Sequence, residues 1–277
     1  MIGGGRAIPE DSLGERVEVC GVPLIPWTQQ ELVAHVGRCA ENGARTTMLP
    51  MYAHCINVAQ RDEHFRTLLN DPSTIAYADG MAVVWASRLG SAGVPERCTT
   101  TDLFPLLMEQ AALRNHRVYF LGAAPGVAAQ CARRMMDRFP GLAVVGTQDG
   151  FFDSKCDDVI IQRINEMQPD IVFVGMGMPY QEKWVVVHRD RLQARAVLTC
   201  GATFDFHSGN VRRAPHWMRR SGLEWLHRLM LEPRRLWRRY LIGNWVFMGY
   251  VVRDRVSRRR GRDRSAGAHA ARARGAR

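Results

Sequence analysis

Several motifs that define common enzyme classes are missing from this sequence of 277 residues. It contains no H-E-x-x-H, no D-x-D and no G-x-S-x-G, and its nine histidines do not cluster. We therefore expect neither metal catalysis nor a serine hydrolase. The sequence also lacks G-x-G-x-x-G and the P-loop motif, which disfavours a nicotinamide-dependent oxidoreductase and a P-loop nucleotidase.

Signals for disulfides, secretion and membrane spanning are also missing. The seven cysteines are scattered and form no C-x-x-C, which is typical of reduced thiols. The first residues lack the apolar core of a signal peptide, so we expect a cytoplasmic protein. The longest uncharged apolar run, residues 240–252, is shorter than the roughly 20 residues that cross a bilayer.

Positive charge is concentrated at one end of the chain. Residues 212–277 carry 19 arginines, no lysine and four acidic residues, whereas residues 1–211 have a net charge of −4. A basic block of this kind usually contacts an anionic surface, either a membrane or a nucleic acid.

Short apolar runs alternate with segments of helical periodicity along most of the chain. The expected strands lie at residues 16–19, 46–49, 74–78, 117–121, 142–145, 170–175 and 196–200. The expected helices lie at residues 28–41, 53–69, 101–115, 126–139, 157–167 and 180–192. This order predicts an α/β fold, with a Rossmann-like, mostly parallel sheet covered by helices on both faces.

Composition divides the chain into four parts. We expect a flexible N-terminus at residues 1–15 and a Rossmann-like domain at residues 16–210. A basic, aromatic helical appendage follows at residues 211–256, and the low-complexity residues 257–277 are expected to be disordered.

Ligands of such sheets bind at the carboxyl ends of the strands, so the loops that follow the strands are the candidate sites. Three of these loops combine glycine with polar or proline residues. Their candidate ligand-binding residues are Gly122 and Pro125 in the first loop, Gly175, Gly177, Gln181 and Glu182 in the second, and Asp205, Arg212 and Arg213 in the third. Each loop alone is equally compatible with a simple strand-to-helix turn, and Asp205 with a turn cap.

Asp79 follows the expected strand at residues 74–78 and precedes Gly80. A carboxylate at the end of a strand, beside a ligand crevice, is suited to act as a general base. The alternative is that Asp79 caps the following helix.

Taken together, the loops resemble the WecG/TagA/CpsF glycosyltransferases, family 26, and most closely their exopolysaccharide GumM-like members. The resemblance covers roughly residues 17–252. It rests on G-x-P-x-Q-E from Gly177, R-A-P from Arg213 and E-W-x-x-R-x-x-x-E-P-x-R from Glu224.

The resemblance implies an inverting transferase that needs no metal or other cofactor. It would move a hexose of the glucose, N-acetylmannosamine or N-acetylmannosaminuronate class from a UDP-sugar to a polyprenyl-diphosphate-linked glycan. The family's general base falls on Asp79 and its glutamine on Gln181. The family's C-terminal arginines, which bind the donor diphosphate, fall among Arg212, Arg213, Arg228, Arg234 and Arg235.

The sequence departs from the family where many members carry T-x-N, because it has Pro50, Met51 and Tyr52 there. We expect Tyr52, His54 and Asn57 to contact the acceptor instead. The donor sugar, the acceptor length and the oligomeric state remain open, and a homo-oligomer is compatible with the sequence.

A glycolipid acceptor stays in the bilayer, which gives the C-terminal arginines and aromatics a role at an anionic membrane surface. We therefore expect a peripheral protein on the inner face of the bacterial plasma membrane. The expected helix that contains Trp225 should end or bend at Pro233. The alternative is a basic-tailed nucleotide- or nucleic-acid-binding protein, but nucleic-acid binding would not require four ligand-like loops.

Overall fold

The computed structural model describes residues 15–89 and 93–258. Two strands, β1 (Val17–Val19) and β2 (Val22–Leu24), form a separate antiparallel pair. Six parallel strands form the main sheet in the order β4-β3-β8-β7-β5-β6. These strands are β3 (Thr46–Met51), β4 (Thr74–Ala78), β5 (Arg117–Gly122), β6 (Ala143–Gln148), β7 (Ile171–Gly175) and β8 (Ala196–Thr199).

The helices up to the C-terminal segment are α1 (Gln29–Asn42), α2 (Ala53–Ala59), α3 (Glu63–Leu69), α4 (Met81–Arg88), α5 (Thr100–Arg114), α6 (Val127–Arg138), α7 (Asp157–Glu166), α8 (Tyr180–His188) and α9 (Thr203–Ser208). The C-terminal segment contains α10 (His216–Arg220), α11 (Glu224–Leu231) and α12 (Pro233–Trp237). A π-helical turn, Arg238–Ile242, joins α12 to α13, which occupies residues 243–258.

The α/β fold with helices on both faces of a parallel sheet is confirmed. Successive side chains of a strand point to opposite faces, and each face packs against its own set of helices. On β3, Met48 packs with the helices α1 and α5, whereas Leu49 packs with α2, α3 and α4. On β7, Phe173 and Val174 divide between the two faces in the same way.

One sequence-based element prediction was wrong, and one confirmed strand lies outside the main sheet. The strand expected at residues 16–19 does not join the main sheet, because Cys20 and Gly21 both have positive φ and turn the chain back into β2. The single helix expected at residues 53–69 is two helices. Asp62 begins the second one by accepting a hydrogen bond from the Phe65 amide at 3.0 Å.

The C-terminal segment packs against the sheet domain through α13. Phe247 and Val251 are buried in the same apolar cluster as Val19, Leu49 and Val83. As expected, the chain bends at Pro233, since α11 ends at Leu231 and α12 begins at the proline.

The limits of the C-terminal segment differ from expectation at one end. Residues 257 and 258, which we assigned to the tail, continue α13. The rest of the tail and residues 1–14 lie outside the described residues. Within residues 15–89 and 93–258, no helix has the length and apolar character needed to cross a membrane.

The packing of α13 predicts a large loss of stability on truncation of its buried aromatic side chain. We expect Phe247→Ala to lower the free energy of unfolding by about 3–5 kcal/mol, because it leaves a cavity in the core. Trp245→Ala, on the same helix but with 80% of the side chain exposed, should change it by less than about 0.5 kcal/mol. Urea denaturation of the two variants measures the difference, and equal effects would show that α13 does not pack as described.

Candidate active site

A cavity of about 570 Å³ lies at the carboxyl ends of β3, β4, β7 and β8. The sheet domain contributes Asp79 and the loops that contain Gly177 and Gly201. The C-terminal segment contributes its other wall, including Trp225 and Arg228. The cavity is therefore at the edge of the sheet where the sequence predicted a ligand site.

Asp79 directly follows β4 and lines the cavity. Its backbone amide donates to the Met51 carbonyl at 2.9 Å, which fixes it to the end of the neighbouring strand β3. Its carboxylate accepts a hydrogen bond of 3.4 Å from the hydroxyl of Thr100, which is also bonded to the Tyr77 hydroxyl at 2.9 Å. Gly80, and not Asp79, is the N-cap of α4, so the capping alternative is excluded.

Burial and, as the second cause, the negative charge of Glu224 together raise the pKa of Asp79 to about 6. The positive charge of Arg97 and the hydrogen bond from Thr100 act in the opposite direction. A carboxyl group with this pKa is ionised at neutral pH and takes up a proton more readily than an ordinary aspartate. Asp79 therefore has the protonation behaviour that a general base needs.

A network of ion pairs fixes the C-terminal segment beside Asp79. The Arg213 guanidinium donates to both carboxylate oxygens of Asp102, at 2.5 and 2.9 Å, and to Glu224 at 2.9 Å. Glu224 also pairs with Arg97 at 3.6 Å. Burial alone would raise the pKa of Asp102, but the hydrogen bonds from Arg213 and Thr99 lower it to about 2. Arg213 is thus bound by two carboxylates of the protein itself.

Gln181 connects two of the loops that border the cavity. Its Oε1 accepts hydrogen bonds from the amides of Gly177 and Gly201, both at 3.1 Å. Its Nε2 donates to Glu182 at 2.7 Å. The expected contact with the donor stays a prediction, because the bonds that Gln181 makes here hold the loops after β7 and β8 together.

Glu182 is buried behind this loop connection. Its Oε2 has no hydrogen-bond partner among the described residues, and burial raises its pKa to about 7. Arg239, from the π-helical turn, lies with its guanidinium 4.7 Å from the centre of the Tyr52 ring. Its charge acts on Glu182 and Tyr52, so one half-buried arginine of the C-terminal segment faces both.

The three residues expected to contact the acceptor separate in the structure. Tyr52 and His54 line the cavity. Burial and the nearby Arg239 lower the pKa of His54 to about 4, which keeps its ring neutral. Asn57 lies outside the cavity, where its Nδ2 donates to the carbonyl of Gly243 at 2.8 Å. Asn57 therefore attaches the start of α13 to the sheet domain.

The expected ligand residues of the loops also divide. Gly177, Gln181, Arg228 and Arg235 line the cavity with Asp79. The others lie outside its lining: Gly122, Pro125, Gly175, Glu182, Asp205, Arg212, Arg213 and Arg234. Gly122 has a structural reason to be glycine, because its φ is 138° and a Cβ there would lie 2.4 Å from the Gly175 carbonyl carbon.

Sequence reasoning missed four residues that line the cavity or support Asp79. Thr100 and Arg97 lie in a segment without a recognisable motif. Glu224 stands in the quoted E-W motif, but no charge partner was apparent for it. Arg239 is one arginine among the 19 of the basic end, and only its burial distinguishes it from the exposed Arg238.

Comparison with known proteins decides the family. The model of the glycosyl transferase WecG/TagA/CpsF family matches residues 17–261. The chain belongs to this family. The resemblance found in the sequence is therefore confirmed, and the chain is a glycosyltransferase.

Three relatives from the WecG/TagA/CpsF family carry the same name, N-acetylglucosaminyldiphosphoundecaprenol N-acetyl-beta-D-mannosaminyltransferase. Those of Bacillus spizizenii (strain ATCC 23059 / NRRL B-14472 / W23) and Bacillus subtilis (strain 168) are 34% and 33% identical over 183 residues, which is 66% of this chain and 70% of each relative. That of Staphylococcus aureus (strain MRSA252) is 26% identical over 233 residues, 83% of this chain and 91% of the relative.

The bonds of Gln181 predict a specific loss of stability. Gln181→Leu removes the acceptor for two backbone amides, and we expect it to lower the free energy of unfolding by about 1–3 kcal/mol. Gln181→Glu retains the acceptor oxygen but adds a carboxylate beside Glu182. Its loss of stability should therefore grow as the pH rises through about 7, where Glu182 ionises. Urea denaturation between pH 6 and 8 tests this, and a pH-independent effect of Gln181→Glu would contradict it.

Proposed function

We propose that this protein transfers a hexose from a UDP-sugar to the sugar of a polyprenyl-diphosphate-linked glycan, with inversion and without a metal. The observation that carries the proposal is the Asp79 carboxylate, which faces a cavity of about 570 Å³ and has its pKa raised to about 6. The named acceptor of the relatives, a diphosphoundecaprenol carrying N-acetylglucosamine, supports an acceptor of the same chemical class.

The chemical step uses Asp79 as the general base. Its carboxylate takes the proton of an acceptor hydroxyl while that oxygen bonds to the anomeric carbon of the donor. The bond from the anomeric carbon to the UDP oxygen breaks, and its electron pair leaves on the diphosphate. Attack from the face opposite to UDP inverts the configuration of the anomeric carbon.

The negative charge that develops on UDP needs a source of positive charge. Arg228 and Arg235 both line the cavity and are the arginines that we assign to this role. Arg228 lies 5.3 Å from the centre of the Phe206 ring, which restricts its position. Arg213 is engaged by Asp102 and Glu224, so its contribution is to hold the C-terminal segment in place. Direct donor contacts by Arg212 and Arg234 stay predictions.

The donor sugar is the least constrained part of the proposal. The relatives are named for N-acetylmannosamine, whereas the resemblance to exopolysaccharide members favours glucose. The region near Asp79 differs from the T-x-N pattern, since Tyr52 stands where many members have asparagine. We propose cell-envelope polysaccharide or exopolysaccharide synthesis as the process that the product serves.

Attachment to an anionic membrane surface is part of the same proposal. Large side chains with high exposure occur along the C-terminal segment, namely Trp217, Trp237 and Trp245. Tryptophan favours the depth of lipid headgroups, and each arginine near an anionic leaflet contributes on the order of 1 kcal/mol. The arginines of this segment therefore favour binding on the cytoplasmic face of the membrane, where a UDP-sugar is available.

Asp79 provides a direct test of the mechanism. Asp79→Asn should lower kcat by roughly two to four decades, the usual loss for a general base, with little change in UDP affinity. For the unmodified protein, kcat/KM should fall about tenfold per pH unit below pH 6, because the protonated carboxyl cannot accept a proton.

Glu182 titrates in a neighbouring range and is the control. Glu182→Gln should retain the acid limb near pH 6, since that limb belongs to Asp79. If the limb disappears in Glu182→Gln, or if Asp79→Asn turns over near the normal rate, Asp79 is not the base.

Donor class and metal independence are tested together. We expect UDP and one of UDP-glucose, UDP-N-acetylmannosamine or UDP-N-acetylmannosaminuronate to raise the melting temperature in the presence of excess EDTA, because a ligand stabilises the folded state that it binds. Transfer to a short prenyl-diphosphate acceptor should also survive EDTA. Activity that requires added manganese or magnesium would contradict the metal-free mechanism.

A further inference from the structure

The cavity has an apolar extension that the transfer reaction at Asp79 does not use. On one side, α4 and its C-cap residue, Leu89, border the cavity, and α4 itself contributes Met81, Ala82, Trp85 and Ala86. On the other side, α13 contributes Asn244, Phe247, Met248 and Val251. Both sets have the spacing of one helical face, so two helices border a continuous passage, which we call the α4–α13 channel.

The α4–α13 channel carries no charge and is partly open. None of these nine side chains is charged, and only Asn244 is polar. Trp85 is 54% exposed and Met248 is 48% exposed, so the outer rim consists of large apolar side chains. Phe247 and Val251 form its buried floor. Apolar surface of this kind in a concave site favours a hydrocarbon ligand.

The inner end of the channel is polar and adjoins the reaction centre. Gly80, the N-cap of α4, directly follows Asp79, and a Cβ on it would lie 3.0 Å from the Cβ of Tyr52. Arg239 stacks on the same Tyr52 ring and forms no salt bridge with a carboxylate of the described residues. The Asp79 carboxylate, the Arg239 guanidinium and the apolar channel therefore line a single cavity.

We propose that the α4–α13 channel binds the first isoprene units of the acceptor lipid. This inference rests on the proposed function. The acceptor is a linear molecule of sugar, diphosphate and prenyl chain, and its parts match this order: the sugar hydroxyl at Asp79, the diphosphate at Arg239 and the hydrocarbon between α4 and α13. The donor lacks a hydrocarbon and does not fit the passage.

The length of the channel limits how much of the lipid it can hold. The stretch of α4 from Met81 to Leu89 is about 12 Å long at 1.5 Å per residue. That length accommodates a few isoprene units, and the rest of the chain remains in the bilayer. The enzyme thus raises only the proximal part of the lipid out of the membrane, by the distance that its sugar needs to reach Asp79.

The experiment varies the hydrocarbon of a soluble acceptor in the absence of vesicles. Acceptors with one sugar and one diphosphate carry a methyl, a geranyl or a farnesyl group, each below its micelle concentration. A buried methylene contributes roughly a fourfold gain in binding. Because the channel is open on one side, we expect kcat/KM to rise at least about tenfold from methyl to geranyl in the unmodified protein. Equal values for the three acceptors would overturn the proposal.

A matched pair of variants on α13 locates the effect. Met248→Asp adds a charge to the channel wall, and Val252→Asp adds one to an exposed position of the same helix outside the channel. Met248→Asp should reduce the geranyl-to-methyl ratio of kcat/KM to near one, whereas Val252→Asp should retain it. Ala86→Trp, which fills the channel without adding charge, should also abolish the ratio. Equal ratios in Met248→Asp and Val252→Asp would place the prenyl group elsewhere.

A binding measurement separates this proposal from the proposed function. Farnesyl diphosphate should change the tryptophan fluorescence of the unmodified protein and of Val252→Asp, but bind Met248→Asp at least about tenfold more weakly. This outcome supports the channel even if no sugar is transferred. Equal affinity in all three proteins overturns it even if transfer occurs. Failure of every acceptor to turn over with every UDP-sugar contradicts only the proposed function.

Discussion

The arrangement of the active site depends on one partly buried cation, Arg213, which binds two carboxylates. Asp102 belongs to the helix α5 of the sheet domain, and Glu224 begins α11 of the C-terminal segment. Removing either carboxylate would leave a partly buried charge without its partner, which is costly in a protein interior. The ion pairs therefore fix where the C-terminal segment begins to cover the sheet edge. That position in turn brings the Glu224 charge close enough to raise the pKa of Asp79.

The arginines of the C-terminal segment have at least three different environments, although composition makes them look alike. Arg213 has a structural role, Arg228 and Arg235 face the cavity, and Arg239 is half-buried against the Tyr52 ring. Burial separates these roles, since a buried guanidinium needs a specific partner and an exposed one is largely screened by salt. A count of basic residues in a sequence gives only their summed charge, which acts at long range, and does not show which arginine has which role.

The fold was predictable from the sequence because its signals are local. Six of the seven expected strands form the main sheet, and their buried runs and helical neighbours fix both element type and order. The strand at residues 16–19 is confirmed, but its pairing with β2 depends on the backbone of Cys20 and Gly21, which composition does not specify. The site was only partly predictable. Asp79 could be predicted because it directly follows its strand. Thr100, Arg97 and Arg239 could not, because they come to the site through contacts between residues far apart in the chain.

The π-helical turn at Arg238–Ile242 sets the direction in which the side chains of the following helix, α13, point. Such a turn holds one more residue than an α-helical turn, so everything that follows is rotated by about 100° relative to an uninterrupted helix. Arg239 lies within this turn and Phe247 follows it, and both pack against the sheet domain. Deletion of one residue between these two positions would rotate the rest of α13 by about 100° and turn its apolar face away from the protein.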